Sequence, residues 1–469
     1  MRIHVTLVNP PYPIGSHLHP PYLPLGLGYL AAVLEKNNYE VDVIDCQALK
    51  IMYDEFRSEI SKRKPTIVGI TSTTLTYKSA LHIAQIAKEV CPNSITILGG
   101  PHVTFWDDKA LQECPHLDII VRKEGEITLV ELAKRLEKDE SFDNVLGITC
   151  RKDGEIKRNP DRPPIENLDE LPFPAIHLWP IEKLHQYGEV IFPLSTSRGC
   201  VFWCNFCTAV RMFGRKYRMR NPMNVVDELE YLNKNFGAEH FAFYDDAFTV
   251  DQSRAEEICK EILNRKLKIR WNCETRVDMV TKELLSKMKK AGCTDVWFGV
   301  ESGSQRVLKT MDKGILIEQT EKAFKWTKQV GIMTVANVIL GFPTETRETA
   351  WETINFVEKL NPDDVGYFIA TPYPGTPMYE QVRDNGSLKI TDFDKYDTAT
   401  PTFEIPQLSM KELRKIREQA FQSFYLRPKY ILNVLFKGGV YGSASTKLVL
   451  AHLRRAAGAK LRPKHEDNS

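Results

Sequence analysis

Cys200, Cys204 and Cys207 stand in a Cys-x3-Cys-x2-Cys pattern within Arg-Gly-Cys-Val-Phe-Trp-Cys-Asn-Phe-Cys-Thr, residues 198–208. An apolar stretch, Val190–Leu194, runs up to this loop and reads as a buried strand. Thiolates this close together can hold one iron–sulfur cluster. A cubane carries one iron more than three cysteines can ligate, and the open iron can bind and activate a small molecule. A zinc knuckle is the competing reading, but it requires a fourth ligand and usually pairs Cys-x2-Cys units. No histidine lies within ten residues of Cys207. Free structural thiols are a third reading. Cys259, Cys273 and Cys293 fall inside predicted helices and strands and read as buried apolar residues.

The elements that must position these thiols alternate strand and helix. Over residues 1–140, apolar strands at 4–9, 41–45, 67–71, 94–98 and 118–121 are separated by helices. This pattern is a doubly wound, Rossmann-like parallel sheet, whose ligands bind at the carboxyl ends of strands. Three such ends read Asn9-Pro10-Pro11-Tyr12, Thr71-Ser72-Thr73-Thr74 and Gly99-Gly100-Pro101-His102. Small and hydroxylated residues there allow backbone approach and donate hydrogen bonds to a bulky polar ligand. Residues 141–189 read as a linker: a hairpin turning at Asp153-Gly154, then a proline-stiffened strap over Pro160–Pro180. From 190 to 390, about six strand–helix units predict a partial TIM-like (β/α)6 barrel with its site at the strand ends. Those ends carry Asp245 and Asp246, Glu274 and Arg276, Glu301, and Gly341. Any one of them alone could equally be a helix cap or a surface pair.

Residues 391–469 form a small helical region, in which Ser409 and Glu412 make a capping box. Between Lys411 and Lys464, thirteen Lys/Arg face only Glu412 and Glu418. A basic amphipathic helix of this kind can lie on an anionic membrane as a peripheral contact, or it can be the solvated face of a helix packed on the barrel. The region also helps to shape the substrate pocket.

The cysteine spacing, with Phe206 before the last cysteine, resembles the radical S-adenosylmethionine (SAM) family, and the resemblance covers about residues 1–400. Asn-Pro-Pro after the first strand, Gly-Gly-Pro-His after the fourth, and Glu124-Gly125-Glu126 after the fifth resemble the cobalamin-dependent branch. The strap's Leu-Asp-Glu-Leu-Pro-Phe-Pro and the barrel's Tyr-Asp-Asp-Ala-Phe-Thr fit the same branch. The resemblance implies that Cys200, Cys204 and Cys207 hold a [4Fe-4S] cluster whose open iron takes the amino and carboxylate groups of SAM. It implies a cobalamin site formed by Asn9, Thr71, Ser72, Thr73, Gly99, Gly100, His102 and Glu124, with 73–76 beneath the corrin. The sequence has no Asp-x-His-x-x-Gly, so no histidine is evident below cobalt. His102 is read either as an axial ligand or as a hydrogen-bond partner of the cofactor tail or of backbone. Around SAM, backbone carbonyls of the Asp245–Asp246 segment would hold the amino group. Arg276, beside Glu274, would pair with the carboxylate, Glu301 would accept from ribose hydroxyls, and Gly341 would admit adenine.

These cofactors imply radical C-methylation of an unactivated sp3 carbon through a 5′-deoxyadenosyl radical and methylcobalamin. The alternative is a cyclase or C–C bond-forming enzyme acting on a lipid or tetrapyrrole. Methylthiolation would need extra N-terminal cysteines and a C-terminal β-barrel, neither of which is evident. A non-catalytic sensor would not need the polar barrel ends. No catalytic side chain is identified. The implied partners are a reducing protein such as ferredoxin or flavodoxin, and a substrate that is a small molecule, a lipid or a protein side chain. Work of this kind is anaerobic.

Composition sets the bounds. A chain of 469 residues predicts two or three domains, and a net charge of +2 supplies no field for nucleic acid. The opening Met1–Val5 reads as a strand rather than a signal peptide, and no apolar run reaches the ~18 residues of a membrane span. Ten cysteines, irregular outside the loop, fit a reducing cytoplasm better than a disulfide framework.

Overall fold

The computed structural model describes residues 3–13, 23–185, 189–428 and 430–431. The strands of the first sheet are β1 (His4–Asn9), β2 (Glu40–Asp45), β3 (Ile67–Thr71), β4 (Ile95–Gly99), β5 (Ile119–Val121), β6 (Ile148–Lys152) and β7 (Glu155–Arg158). They lie in the order β2-β1-β3-β4-β5-β6-β7, with the first five parallel. Val5, Leu7, Val8, Val68 and Leu98 are wholly buried, as expected where helices cover both faces of a parallel sheet. The strand order reverses between β1 and β3, and their carboxyl ends open there into a crevice.

The hairpin β6–β7 departs from the expected linker. It pairs antiparallel to β5 and forms the last two strands of the first sheet. Buried Arg122 holds it there, donating to the Thr149 hydroxyl, the Asn159 carbonyl (2.6 Å) and Asp161 (2.8 Å). The proline strap therefore begins only after Arg158. Its Pro174 rests on Gly28 of the helix Leu25–Lys36, where a Cβ would come within 2.9 Å of the proline ring. Trp179 pins the strap to the end of β2 through a 2.9 Å hydrogen bond to Asp45.

The second sheet uses β8 (Phe192–Leu194), then, after the short antiparallel pair β9 (Ser197–Arg198) and β10 (Arg218–Met219), β11 (His240–Phe243), β12 (Arg270–Thr275), β13 (Cys293–Glu301), β14 (Met333–Leu340) and β15 (Asp364–Ile369). All six strands of this sheet are parallel, in the order β15-β14-β13-β12-β11-β8. β8 and β15 are edges that do not pair with each other, so the sheet is open. One apolar cluster runs without a break from Leu27, Leu34 and Leu132, against the first sheet, to Phe243, Trp271 and Phe298 in the second.

The helix Met410–Tyr425 closes the β14–β15 side, capped by the Ser409 hydroxyl, which accepts from the Glu412 N–H at 3.2 Å. Its apolar face (Leu413, Ile416, Ala420, Phe424) is buried on the sheet. Tyr425 donates to Asp364 (2.5 Å), and its hydroxyl also lies 2.9 Å from the Val365 carbonyl. Replacing Tyr425 with Phe removes this donor and should lower the unfolding free energy by about 1–2 kcal/mol, read as a lower denaturant midpoint. An unchanged midpoint would show that the helix does not depend on this anchor. The basic run beyond Ile431 lies outside the described residues. Among the described residues, no helix is long and apolar enough to cross a membrane.

Candidate functional site

The carboxyl ends of the two sheets face one another across a cavity of about 360 Å³. The first sheet contributes Thr71, Gly99, Gly100 and Glu124; the second region contributes Ser195, Ser197, Arg198, Tyr244 and Asp246. Leu25, Leu30, Val121 and Leu129 make the walls apolar. Gly100 has φ +104°, and a Cβ there would collide with the Ser72 backbone, so only glycine keeps this floor flat.

Not every predicted residue of the first region reaches the cavity. The Asn9 amide is consumed by Asp45 (2.8 Å) and Gln47 (3.3 Å), and it ties β1 to β2. The Ser72 hydroxyl donates to the Thr73 carbonyl at 3.0 Å. The Thr73 and Thr76 hydroxyls bond each other at 3.0 Å, closing the turn into the helix Tyr77–Val90. His102 is 2% exposed and boxed in by Tyr77, Trp106 and Phe393. Its Nδ1 meets the Thr74 hydroxyl at 3.1 Å, and desolvation pushes its pKa down to about 3, so the ring is neutral. It packs outside the cavity lining, and its buried Nε2 has no hydrogen-bond partner among the described residues. No histidine lines the cavity among the described residues. Of the eight predicted corrin contacts, the structure gathers Thr71, Gly99, Gly100 and Glu124.

Glu124 also does something the sequence did not predict. It accepts from Arg198 Nη1 (2.8 Å) and Arg218 Nη1 (2.9 Å), and from the Ile165 N–H (2.9 Å). Arg198 reaches Glu126 as well, at 2.6 Å. Burial opposes the charge on Glu124, but the two guanidiniums outweigh it and hold the carboxyl below its usual range. Arg198 lies two residues before Cys200, so this network clamps the cysteine loop to the first sheet.

The loop itself brings the three thiols into one desolvated neighbourhood. Burial pushes Cys207 up to about 12, with Cys204 and Cys200 adding to the shift; burial also raises Cys200 and Cys204. Such thiols ionise only when a metal supplies the compensating charge. Among the described residues, no three His, Cys, Asp or Glu side chains converge on a single-ion position. A cluster takes its ligands at separate corners and requires no such convergence. Cys259, Cys273 and Cys293 are buried in helix and strands, as predicted.

Beside the thiols, Asp246, Glu274 and Glu301 form an acidic pocket. Desolvation and neighbouring Asp245 raise Asp246 to about 6, and desolvation with Asp246 and Glu301 raises Glu274. Three carboxylates that repel one another attract a cation. Glu301 has φ +59°, a strained backbone for a non-glycine residue, at an irregularity in β13, and pairs with buried Lys313 at 2.6 Å. The sequence reading missed Lys313, because no periodicity links it to Glu301. Arg276 is forked on Asp278 (3.0 and 2.9 Å) and stacked 3.6 Å over Phe202, leaving buried Nη1 without a partner. That orphaned donor fits a carboxylate.

Packing fixes two further predicted positions. Asp245 faces inward as a brace, accepting from the Thr196 N–H (2.6 Å), the Ser197 N–H (3.2 Å) and both hydroxyls. Gly341 is not open to a ligand: its N–H donates to Glu345, and the space a Cβ would take is filled by Leu413.

Comparison with known proteins agrees with this geometry. The B12 binding domain model matches residues 13–133, and the radical SAM superfamily model matches residues 194–357. The chain is 37% identical over 414 residues to the uncharacterized methyltransferase PH0819 of Pyrococcus horikoshii, covering 88% of this chain and 90% of that protein. It is 32% identical over 444 residues to the anaerobic magnesium-protoporphyrin IX monomethyl ester cyclase of Rubrivivax gelatinosus, covering 92% and 78%. Among solved structures, the methyltransferase TsrM of Kitasatospora setae, with cobalamin and a [4Fe-4S] cluster bound, superposes with TM-score 0.78 at 19% identity, over 98% of this chain and all of that one.

Proposed function

The chain belongs to the cobalamin-dependent radical SAM enzymes, and on that premise we propose that it is a C-methyltransferase acting on an unactivated sp3 carbon. The observation that carries the reading is the shared cavity, walled by Thr71, Gly99 and Gly100 on one side and by Arg198, Tyr244 and Asp246 on the other. A group seated on the first sheet thus faces the acidic pocket beside the cysteine loop. When bound, the cluster with SAM supplies a carbon radical, and the corrin supplies a methyl carrier.

The chain's own residues bind and orient. Cys200, Cys204 and Cys207 hold the cluster. Asp246, Glu274 and Glu301 receive the cationic sulfonium and ammonium of SAM, and the unpaired Nη1 of Arg276 takes its carboxylate. Lys313 holds Glu301 in place. The flat backbone at Gly99 and Gly100 seats the corrin, and the leucine walls exclude water. Methylation is favoured over ring formation by the methyltransferase relative that matches over nine-tenths of its length. Hopanoid C-3 methylase of Methylococcus capsulatus, 25% identical over 383 residues, adds a second methyltransferase among the relatives. A small-molecule substrate accords with that relative.

The test uses cells fed methionine carrying a deuterated methyl group. Cells making the intact protein should accumulate a compound one labelled methyl group heavier, absent with the Cys204→Ala variant. A compound that instead loses two hydrogens and carries no label would establish ring formation.

A further inference from the structure

The cysteine loop has two sides, because its residues alternate. Phe202 turns in beneath the Arg276 guanidinium, and Cys204 is buried. Val201 and Trp203 turn out, 38% and 46% exposed. Trp203 does not line the cavity, so this outer side is separate from the site already described. Two guanidiniums lie over the Trp203 ring, Arg211 at 5.2 Å and Arg215 at 5.3 Å. Neither pairs with a carboxylate among the described residues. The next cation along the chain, Lys216, is neutralised by Glu166. Arg211 also donates to the Cys207 carbonyl at 3.0 Å, so the outer side is bonded directly to a ligand residue.

We propose that Trp203, Arg211 and Arg215 form the docking surface for an acidic one-electron carrier protein that reduces the cluster. The proposal rests on the reading that Cys200, Cys204 and Cys207 hold that cluster, whose chemistry needs an electron from outside the chain. Tryptophan and arginine are the residue types that most often anchor interfaces. Guanidiniums stacked on an aromatic ring are held in place before the partner arrives, which lowers the ordering cost of association. Unneutralised positive charge on a chain of net charge +2 steers an acidic partner to this spot. The electron balance is simple: the flavin or iron–sulfur group of the carrier is oxidised by one electron, the cluster is reduced by one, and no atom is transferred.

The test is anaerobic stopped-flow bleaching of the reconstituted holoenzyme by reduced flavodoxin, with dithionite as a small reductant that needs no docking surface. Arg215→Glu should slow reduction by flavodoxin about tenfold at low salt, the gap closing as salt rises. Trp203→Ala should slow it at all salt concentrations. Dithionite-driven SAM cleavage should stay at the wild-type level in both. Reduction of both variants by flavodoxin at the wild-type rate would overturn the proposal. So would an equal loss of the dithionite reaction at normal iron content, which would place these residues in the site itself. A wild-type protein that takes up no iron would instead refute the cluster reading beneath the proposal.

Discussion

Replacing Cys204 with alanine is expected to abolish reductive SAM cleavage, bringing 5′-deoxyadenosine down to the level of protein-free controls. Cys204 is the most deeply buried of the three loop thiols at 8% exposure, so no water-borne ligand can take its place. Two thiols on one loop do not hold a cubane firmly. Iron content after anaerobic reconstitution should fall with the activity, while the far-ultraviolet circular dichroism stays unchanged. The fold should survive because Cys204, though buried, belongs to neither apolar core cluster. A variant that still produced 5′-deoxyadenosine would remove Cys204 from the ligand set.

Replacing Glu124 with alanine should be the most damaging change to stability among the residues of the cavity. It leaves the guanidiniums of Arg198 and Arg218 buried with one acceptor fewer, Arg218 having no other carboxylate among the described residues. Breaking a buried pair by removing one partner costs about 3–5 kcal/mol, a large share of the stability of any domain. Glu124→Gln keeps the shape and loses the charge, and should fall between alanine and wild type. The network has a pH signature of defined sign. The folded carboxyl sits below its unfolded value, so its contribution is present above the unfolded pKa and is lost as pH falls through the folded one. Denaturant midpoints followed from neutral to acidic pH should converge for wild type and Glu124→Gln. Parallel curves would mean that the pair does not act through charge.

The sequence shows the parts of this protein whose physics is local. Strands such as Ile67–Thr71 are apolar on both faces, so a parallel sheet is readable from composition alone. The thiol spacing is likewise a property of eight consecutive residues. What stays hidden depends on partners far apart along the chain. Glu124 meets Arg198 across 74 residues, and nothing in either segment announces the pair. Gly341 looks open in sequence because the residue that covers it, Leu413, belongs to a helix in another region. The hairpin looks like linker because its register with β5 is set by Arg122, a single buried charge. Asp245 and Asp246 are adjacent and identical in type, yet one braces the backbone and the other faces the cavity. Only the direction of the chain at that point separates them.

The unbroken interior that joins the two sheets bears on how such chains can be recombined. The strap over Pro160–Pro180 looks like a natural place to cut and rejoin relatives. A chimera made there would inherit half an interior from each parent, with Leu34 and Leu132 from one and Phe243 and Trp271 from the other in a single cluster. The halves would have to be matched as one packed solid rather than exchanged as modules. A new specificity is therefore easier to graft at the cavity rim, around Tyr244 and Met212, than by trading whole corrin-seating halves between relatives.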